Sequence, residues 1–146
     1  LSALFDQARA HCAAHADQAG VQVVCDDSSA DVMGDRESLQ LAVDNLLHNA
    51  IEFSPRGGLV RLTASTVGTT VCIDVGDDGP GFAPFVQERI GERFISTPRP
   101  DGRPKGSGLG LAIARQVALL HGGDLRVECA RAPTIVRLSI PSGTGI

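Results

Sequence analysis

The sequence predicts a mixed α/β domain of the α+β kind, in which helices and antiparallel strand pairs share one core. Three observations lead there. Apolar residues recur at helical spacing in three separate segments, 1–19, 36–53 and 108–120. Strand-like segments come in two pairs with short connections, Leu59–Thr66 with Thr70–Val75 and Asp124–Cys129 with Thr134–Ile140. Hydrophobic residues make up 42% of the 146 but aromatics only 3%, with no Trp or Tyr, so the core must be built from Leu, Val, Ile and Ala. A chain of this length forms a single domain, 1–146, that buries roughly two-thirds of the surface its unfolded form exposes.

In chain order, Leu1, Leu4, Phe5, Ala8, Cys12, Ala16 and Ala19 step by threes and fours, which gives an amphipathic helix ended by Gly20. His11 and His15 lie one turn apart on it; no carboxylate or further His repeats nearby in sequence, so they are expected to be surface histidines rather than metal ligands. Val21–Cys25 is a short valine-rich strand, and Asp31–Met33 is a candidate edge strand. Asp35 is placed to cap a second helix, Arg36–Phe53, with Ser38 in its first turn. Leu39, Ala42, Val43, Leu46, Leu47, Ala50 and Ile51 form its buried face, and Ser54-Pro55-Arg56-Gly57-Gly58 stops it. A hairpin turning at Val67-Gly68-Thr69 follows. A third helix ends at His121-Gly122-Gly123, where His121 suits the negative helix end as a cap.

Several function classes are excluded by bulk properties. A net charge of −4 and a pI near 5.5 do not provide the basic face that nucleic acid requires. The four cysteines, Cys12, Cys25, Cys72 and Cys129, are far apart without CxxC spacing and read as reduced and structural. No apolar run is long enough to span a bilayer and no signal peptide is present, which predicts a soluble, cytoplasmic piece without membrane contact. The first residue is Leu1 rather than Met, as expected of a fragment of a longer protein.

The chemistry concentrates in Gly106–Leu111, GSGLGL, which runs directly into the third helix. Glycines at Gly106, Gly108 and Gly110 let successive backbone N–H groups approach an anion, and the helix N-terminus adds its dipole. This is either a phosphate cradle or a glycine-rich turn before a surface helix. It is not a Walker loop, because no GxxxxGKS or GxxxxGKT occurs, and not a dinucleotide fingerprint, because Leu111 stands where the last glycine of GxGxxG belongs. Asn45 and Asn49, one turn apart, are either neutral oxygen ligands for a hydrated Mg²⁺ or solvated amides. Asp77-Asp78-Gly79-Pro80-Gly81-Phe82 is either a tight turn or a carboxylate presented across bare backbone. The stretch 83–105, with one short helix expected at Phe85–Arg93, carries Arg89, Arg93, Arg99, Arg103 and Lys105 and is either a solvated loop or a lid.

Four segments in this order, NLLHNAIEFSP (45–55), DDGPGF (77–82), ERF (92–94) and GSGLGLAIA (106–114), resemble the ATP-binding catalytic domain of two-component sensor histidine kinases, in the GHKL superfamily. The resemblance covers nearly the whole chain. It implies a two-layer sandwich, three main helices on one face of a mixed sheet of about five strands, with ATP between the helices and a lid at 83–105. It further implies that Asn49, with Asn45, holds Mg²⁺ against the triphosphate, and that Asp77 accepts from the adenine amino group beside Gly79 and Gly81. Phe94, Lys105, Gly106, Ser107, Gly108, Leu109, Gly110 and Leu111 complete the implied ATP site. No catalytic side chain is assigned, although Arg93 and Lys105 are candidates to stabilise phosphate. The lid string 92–111 is similar to that of carbon-source-responsive sensor kinases.

Departures are specific. Glu52 stands where the family usually has Lys or Arg, so Arg93, Arg99 or Lys105 is expected to supply that charge; Gly91 and Ile95 replace frequent aromatics beside ERF. Asn45 stands where the superfamily's hydrolases carry a general-base Glu, which favours phosphoryl transfer over hydrolysis. None of His11, His15, His48 or His121 has the family's phosphoacceptor context. The resemblance therefore implies an acceptor histidine on a separate helical hairpin and, through it, a response regulator. It also implies a monomeric fragment of a homodimer anchored in the inner membrane. An ATP hydrolase and a catalytically inactive nucleotide-binding module are the alternatives.

Overall fold

Helix α1 (Ser2–Ala19) turns Leu4, Phe5, Ala8, Cys12 and Ala16 to the interior, following the three- and four-residue steps of the sequence. Gly20, with φ +68°, ends it, and Val21 N–H donates to Ala16 C=O at 2.9 Å across the turn. The computed structural model describes residues 2–26, 32, 34–79, 109–129 and 134–141. Strand β1 (Gln22–Cys25) leads towards α2 (Arg36–Phe53), whose Asp35 cap accepts from Ser38 N–H at 3.1 Å. Strands β2 (Leu59–Val67) and β3 (Thr70–Asp77) form the expected hairpin about Gly68, φ +61°. Helix α3 (Leu109–Leu120), β4 (Asp124–Cys129) and β5 (Thr134–Pro141) complete the described elements.

The sheet order is β1-β2-β3-β5-β4, with β1 parallel to β2 and every other pair antiparallel. A parallel β1–β2 pair needs a long connection, and α2 lies within it. Val60 and Leu62, Val71, Ile73 and Val75, and Val136, Leu138 and Ile140 alternate onto the face covered by helices, where they form one core with the apolar faces of α1, α2 and α3. The chain is thus the two-layer sandwich of three helices and a five-stranded mixed sheet. On the other face, Arg137 donates from Nε and Nη2 to both oxygens of its cross-strand neighbour Asp74, at 2.8 and 2.9 Å.

Two turns fix how α3 enters the sheet. His121 Nδ1–H donates to Val117 C=O at 2.8 Å, capping α3, while its Nε2 accepts from Asp35 N–H at 3.1 Å, at the start of α2. One neutral imidazole thereby ties the end of one helix to the beginning of another. Gly123 packs so closely that an added Cβ would lie 1.7 Å from Ser139 C=O, which excludes any side chain there.

Strand β3 continues two residues beyond the expected Val75, because Gly76 and Asp77 remain paired with Ile135 and Thr134. Asp77 is therefore the last residue of the strand, with Asp78 and Gly79 following it. Val32 makes an isolated bridge; its neighbours Asp31 and Met33 lie outside the described residues, as do the expected helix at 85–93 and the whole stretch 83–105. Cys12, Cys25 and Cys72 are free thiols, and burial raises the Cys12 pKa to about 11, leaving it a protonated core residue. Among the described residues, no helix is long and apolar enough to cross a membrane.

Candidate functional site

Helix α2 is the spine of the site. Its inward stripe packs on the sheet, which leaves Asn45 and Asn49 half-buried one turn apart on a flank. Asn45 donates from Nδ2 to Leu41 C=O at 2.8 Å, so its Oδ1 is turned outwards from the helix, 3.2 Å from where a Cβ on Gly110 would stand. The first turn of α3 thus passes directly beside Asn45, and glycine at 110 permits the approach. Leu111, the next residue, is buried in the core and anchors that turn.

The other end of the site is the C-terminal end of β3. Asp77 is 6% exposed, and its Oδ1 accepts from Gly79 N–H at 2.8 Å. Burial dominates its titration and raises its pKa from 3.8 to about 6, with the Gly79 hydrogen bond opposing and Asp78 adding to the rise. Asp78 is turned to the β2 start instead, where it accepts from Leu59 N–H at 3.1 Å. An added Cβ on Gly79 would meet Phe53 C=O at 2.5 Å and Asp77 Oδ1 at 2.7 Å, so the strand end is pressed against the last turn of α2. From Asn45 to Phe53, α2 rises by about 12 Å. Along that length lie two amides, a buried carboxylate and the N-terminus of α3.

The structure thus places Asn45 and Asn49 on one flank of α2, Gly110 beside Asn45 with Leu111 anchored in the core, and Asp77 and Gly79 against the last turn of the same helix. Leu109 opens α3, and Gly81, Gly91, Arg93, Phe94, Ile95, Arg99, Lys105, Gly106, Ser107 and Gly108 lie outside the described residues. A cavity of about 300 Å³ lined by Arg61, Thr63, Asp74 and Gly76 reaches Asp77 and Asp78 from the sheet's other face, away from the two amides.

Sequence proximity misplaced the histidines. His15 does have a carboxylate and a second imidazole beside it, both from α2: its Nε2 is 3.2 Å from Glu52 Oε1, and its ring stacks on His48 with centroids 4.2 Å apart. His11 Nδ1 lies 2.7 Å from Asp44 Oδ2. Because α1 and α2 run side by side in the same direction, each histidine of the 11/15 pair meets a member of the Asp44–His48–Glu52 row, itself spaced by one helical turn. Those two i,i+4 rows were the available signal; their facing was not. Glu52 is accordingly directed to α1.

Residues 34–144 match the family described as Histidine kinase-, DNA gyrase B-, and HSP90-like ATPase. The chain belongs to that family. It is 45% identical over 114 residues to the sensor-like histidine kinase SenX3 of Mycobacterium tuberculosis, an alignment covering 77% of this chain and 28% of SenX3. The chain therefore spans just over a quarter of that relative's length. Among solved structures, the mycobacterial sensor histidine kinase MprB superposes with a TM-score of 0.80 at 33% identity, covering 94% of this chain and 93% of that one. The ATP binding domain of PrrB from Mycobacterium tuberculosis superposes with a TM-score of 0.74 at 30% identity, over 98% and 94% of the two chains. In this histidine kinase-like ATPase domain, residues 34–144 take in α2, all the strands except β1, and α3, and hence every described residue of the site; α1 precedes the matched range.

Proposed function

We propose that this domain binds Mg²⁺-ATP along α2 and donates the γ-phosphate to a histidine on a separate phosphoacceptor hairpin, from which a response regulator receives it. The observation that carries the reading is Asp77, a carboxylate held at 6% exposure at the strand end against α2. A buried carboxylate with one neutral backbone donor retains acceptor sites for an amino group, and the adenine 6-amino group fits that chemistry where the guanine carbonyl would be repelled. Asn49 and Asn45, about a turn and more away, offer the neutral oxygens that suit a cation held mainly by phosphates and water. Mg²⁺ bound there would neutralise charge between the β- and γ-phosphates. Glycines Gly106, Gly108 and Gly110, with Ser107, Leu109 and Lys105, would bring backbone donors and one positive charge to the phosphates; Arg93 and Phe94 belong to the 83–105 lid of this proposal.

Hydrolysis is disfavoured by Asn45. Its amide, donating to Leu41 C=O, has no basic site to take a proton from an attacking water. The longer protein of this proposal is a homodimer with its kinase domain on the cytoplasmic side of the inner membrane.

Calorimetric titration with ATP and Mg²⁺, wild type beside Asp77→Asn, tests the pocket. Saturable wild-type binding that is weakened at least about tenfold in the variant is expected. Equal binding by both removes the adenine assignment. Rapid steady-state ATP hydrolysis by the isolated chain would replace the kinase reading with the hydrolase one.

A further inference from the structure

The facing rows on α1 and α2 bring together a donor set that the nucleotide reading does not use. His15 Nε2 lies 3.2 Å and His48 Nε2 3.9 Å from the same Glu52 Oε1, and one ligand atom from each of the three residues falls within 4.8 Å of the others. Two donors about 2.0 Å from a tetrahedral ion are about 3.3 Å apart. One edge of such a tetrahedron is therefore already set, and a second is within a modest side-chain rotation of it.

The backbone supports the arrangement. His48 and Glu52 are one turn apart on an 18-residue helix, and His15 projects from a second helix packed against it. The Glu52 side chain is 16% exposed and that of His15 23%, so both sit in the helix seam, while His48, at 56%, lies at its solvent edge. Two imidazoles and one carboxylate, open to water on one side, are the three protein ligands plus water that zinc accepts. Imidazole nitrogen selects Zn²⁺, Ni²⁺ or Cu²⁺ over Mg²⁺ and Ca²⁺, which prefer all-oxygen shells.

We propose that His15, His48 and Glu52 form a Zn²⁺-class transition-metal site that cross-links α1 to α2. His48 is the immediate neighbour of Asn49, so the ion pins the part of α2 that lines the nucleotide site without occupying it. The two sites differ in ligand chemistry: amide oxygens for the Mg²⁺ of the nucleotide, imidazole nitrogens here.

The test is titration of the 146-residue chain with Zn²⁺ alone, in nucleotide- and magnesium-free buffer, read by calorimetry and by thermal melting. The wild type should bind one ion per chain and gain about 9 °C in Tm at a hundredfold excess over Kd. His48→Ala and Glu52→Gln should each weaken binding about tenfold or more, whereas His11→Ala, one turn along the same seam, should retain it. Co²⁺ used in place of Zn²⁺ should show the strong visible absorption of a four-coordinate ion, a wild-type readout independent of whether any variant folds. Absence of stoichiometric binding by the wild type, undiminished binding by His48→Ala, or a six-coordinate Co²⁺ spectrum would each overturn the proposal. Because no nucleotide is present, failure here leaves the ATP reading untouched, and failure of that reading leaves this one untouched.

Discussion

Asp77→Asn separates function from stability at one atom pair, and the direction of both effects can be worked out. The folded pKa of Asp77, about 6, lies above its unfolded value of 3.8 because burial penalises the charged form. The native state therefore binds more protons than the unfolded state between those values, and stability falls as pH rises through the window. The ionised carboxylate costs about 1 kcal/mol of stability at pH 4.5 and about 3 kcal/mol at pH 7.5, and nothing well below pH 3.8. An asparagine keeps the Oδ1 that accepts from Gly79 N–H and carries no charge, so it escapes that penalty.

Urea unfolding of both proteins at pH 4.5 and 7.5 measures the difference, since every other titrating group is common to the two. The variant's advantage over wild type should grow by about 2 kcal/mol between the two pH values while its ATP affinity falls. A constant difference across that range would refute the burial argument. A carboxylate that destabilises the domain and that, in the proposed function, receives the adenine amino group is the kind of opposition between stability and activity that binding sites carry.

Three further perturbations address other parts of the structure. Asn49→Ala should lower ATP affinity about tenfold in the presence of Mg²⁺ and much less in EDTA, by calorimetry, because only a metal-directed amide is magnesium-dependent; an equal loss in both buffers would make Asn49 a direct nucleotide contact. Gly123→Ala, with a Cβ 1.7 Å from Ser139 C=O, must displace backbone and should reduce stability by at least about 2 kcal/mol in urea; an unchanged midpoint would contradict the α3–β4 turn. His121→Ala removes the acceptor for Asp35 N–H and the cap on Val117 C=O and should cost about 1–2 kcal/mol in the same assay, while ATP binding by the folded fraction persists.

Local patterns in the chain were enough to read the three main helices, the strand pairs and the family. Helical steps at Leu4, Ala8, Cys12 and Ala16, the Asp35 cap and the Gly68 turn are decided by interactions within a few residues, so their signatures are local. The placement of Asn45 and Asn49 on one flank of α2 followed from the same spacing. Sheet order did not: β5 lies between β3 and β4, and pairing with β5 is what carries β3 on to Asp77 and buries it there. The motif marked Asp77 as a candidate, but only burial against α2 gives it a perturbed titration. The histidines make the same point from the other side. In sequence, His11 and His15 have no carboxylate one helical turn away, because their partners are more than thirty positions away, on α2. Which residues share an element is written in the local period of the chain; which elements face each other depends on how all the apolar faces are buried at once, and that is settled only when the two layers close.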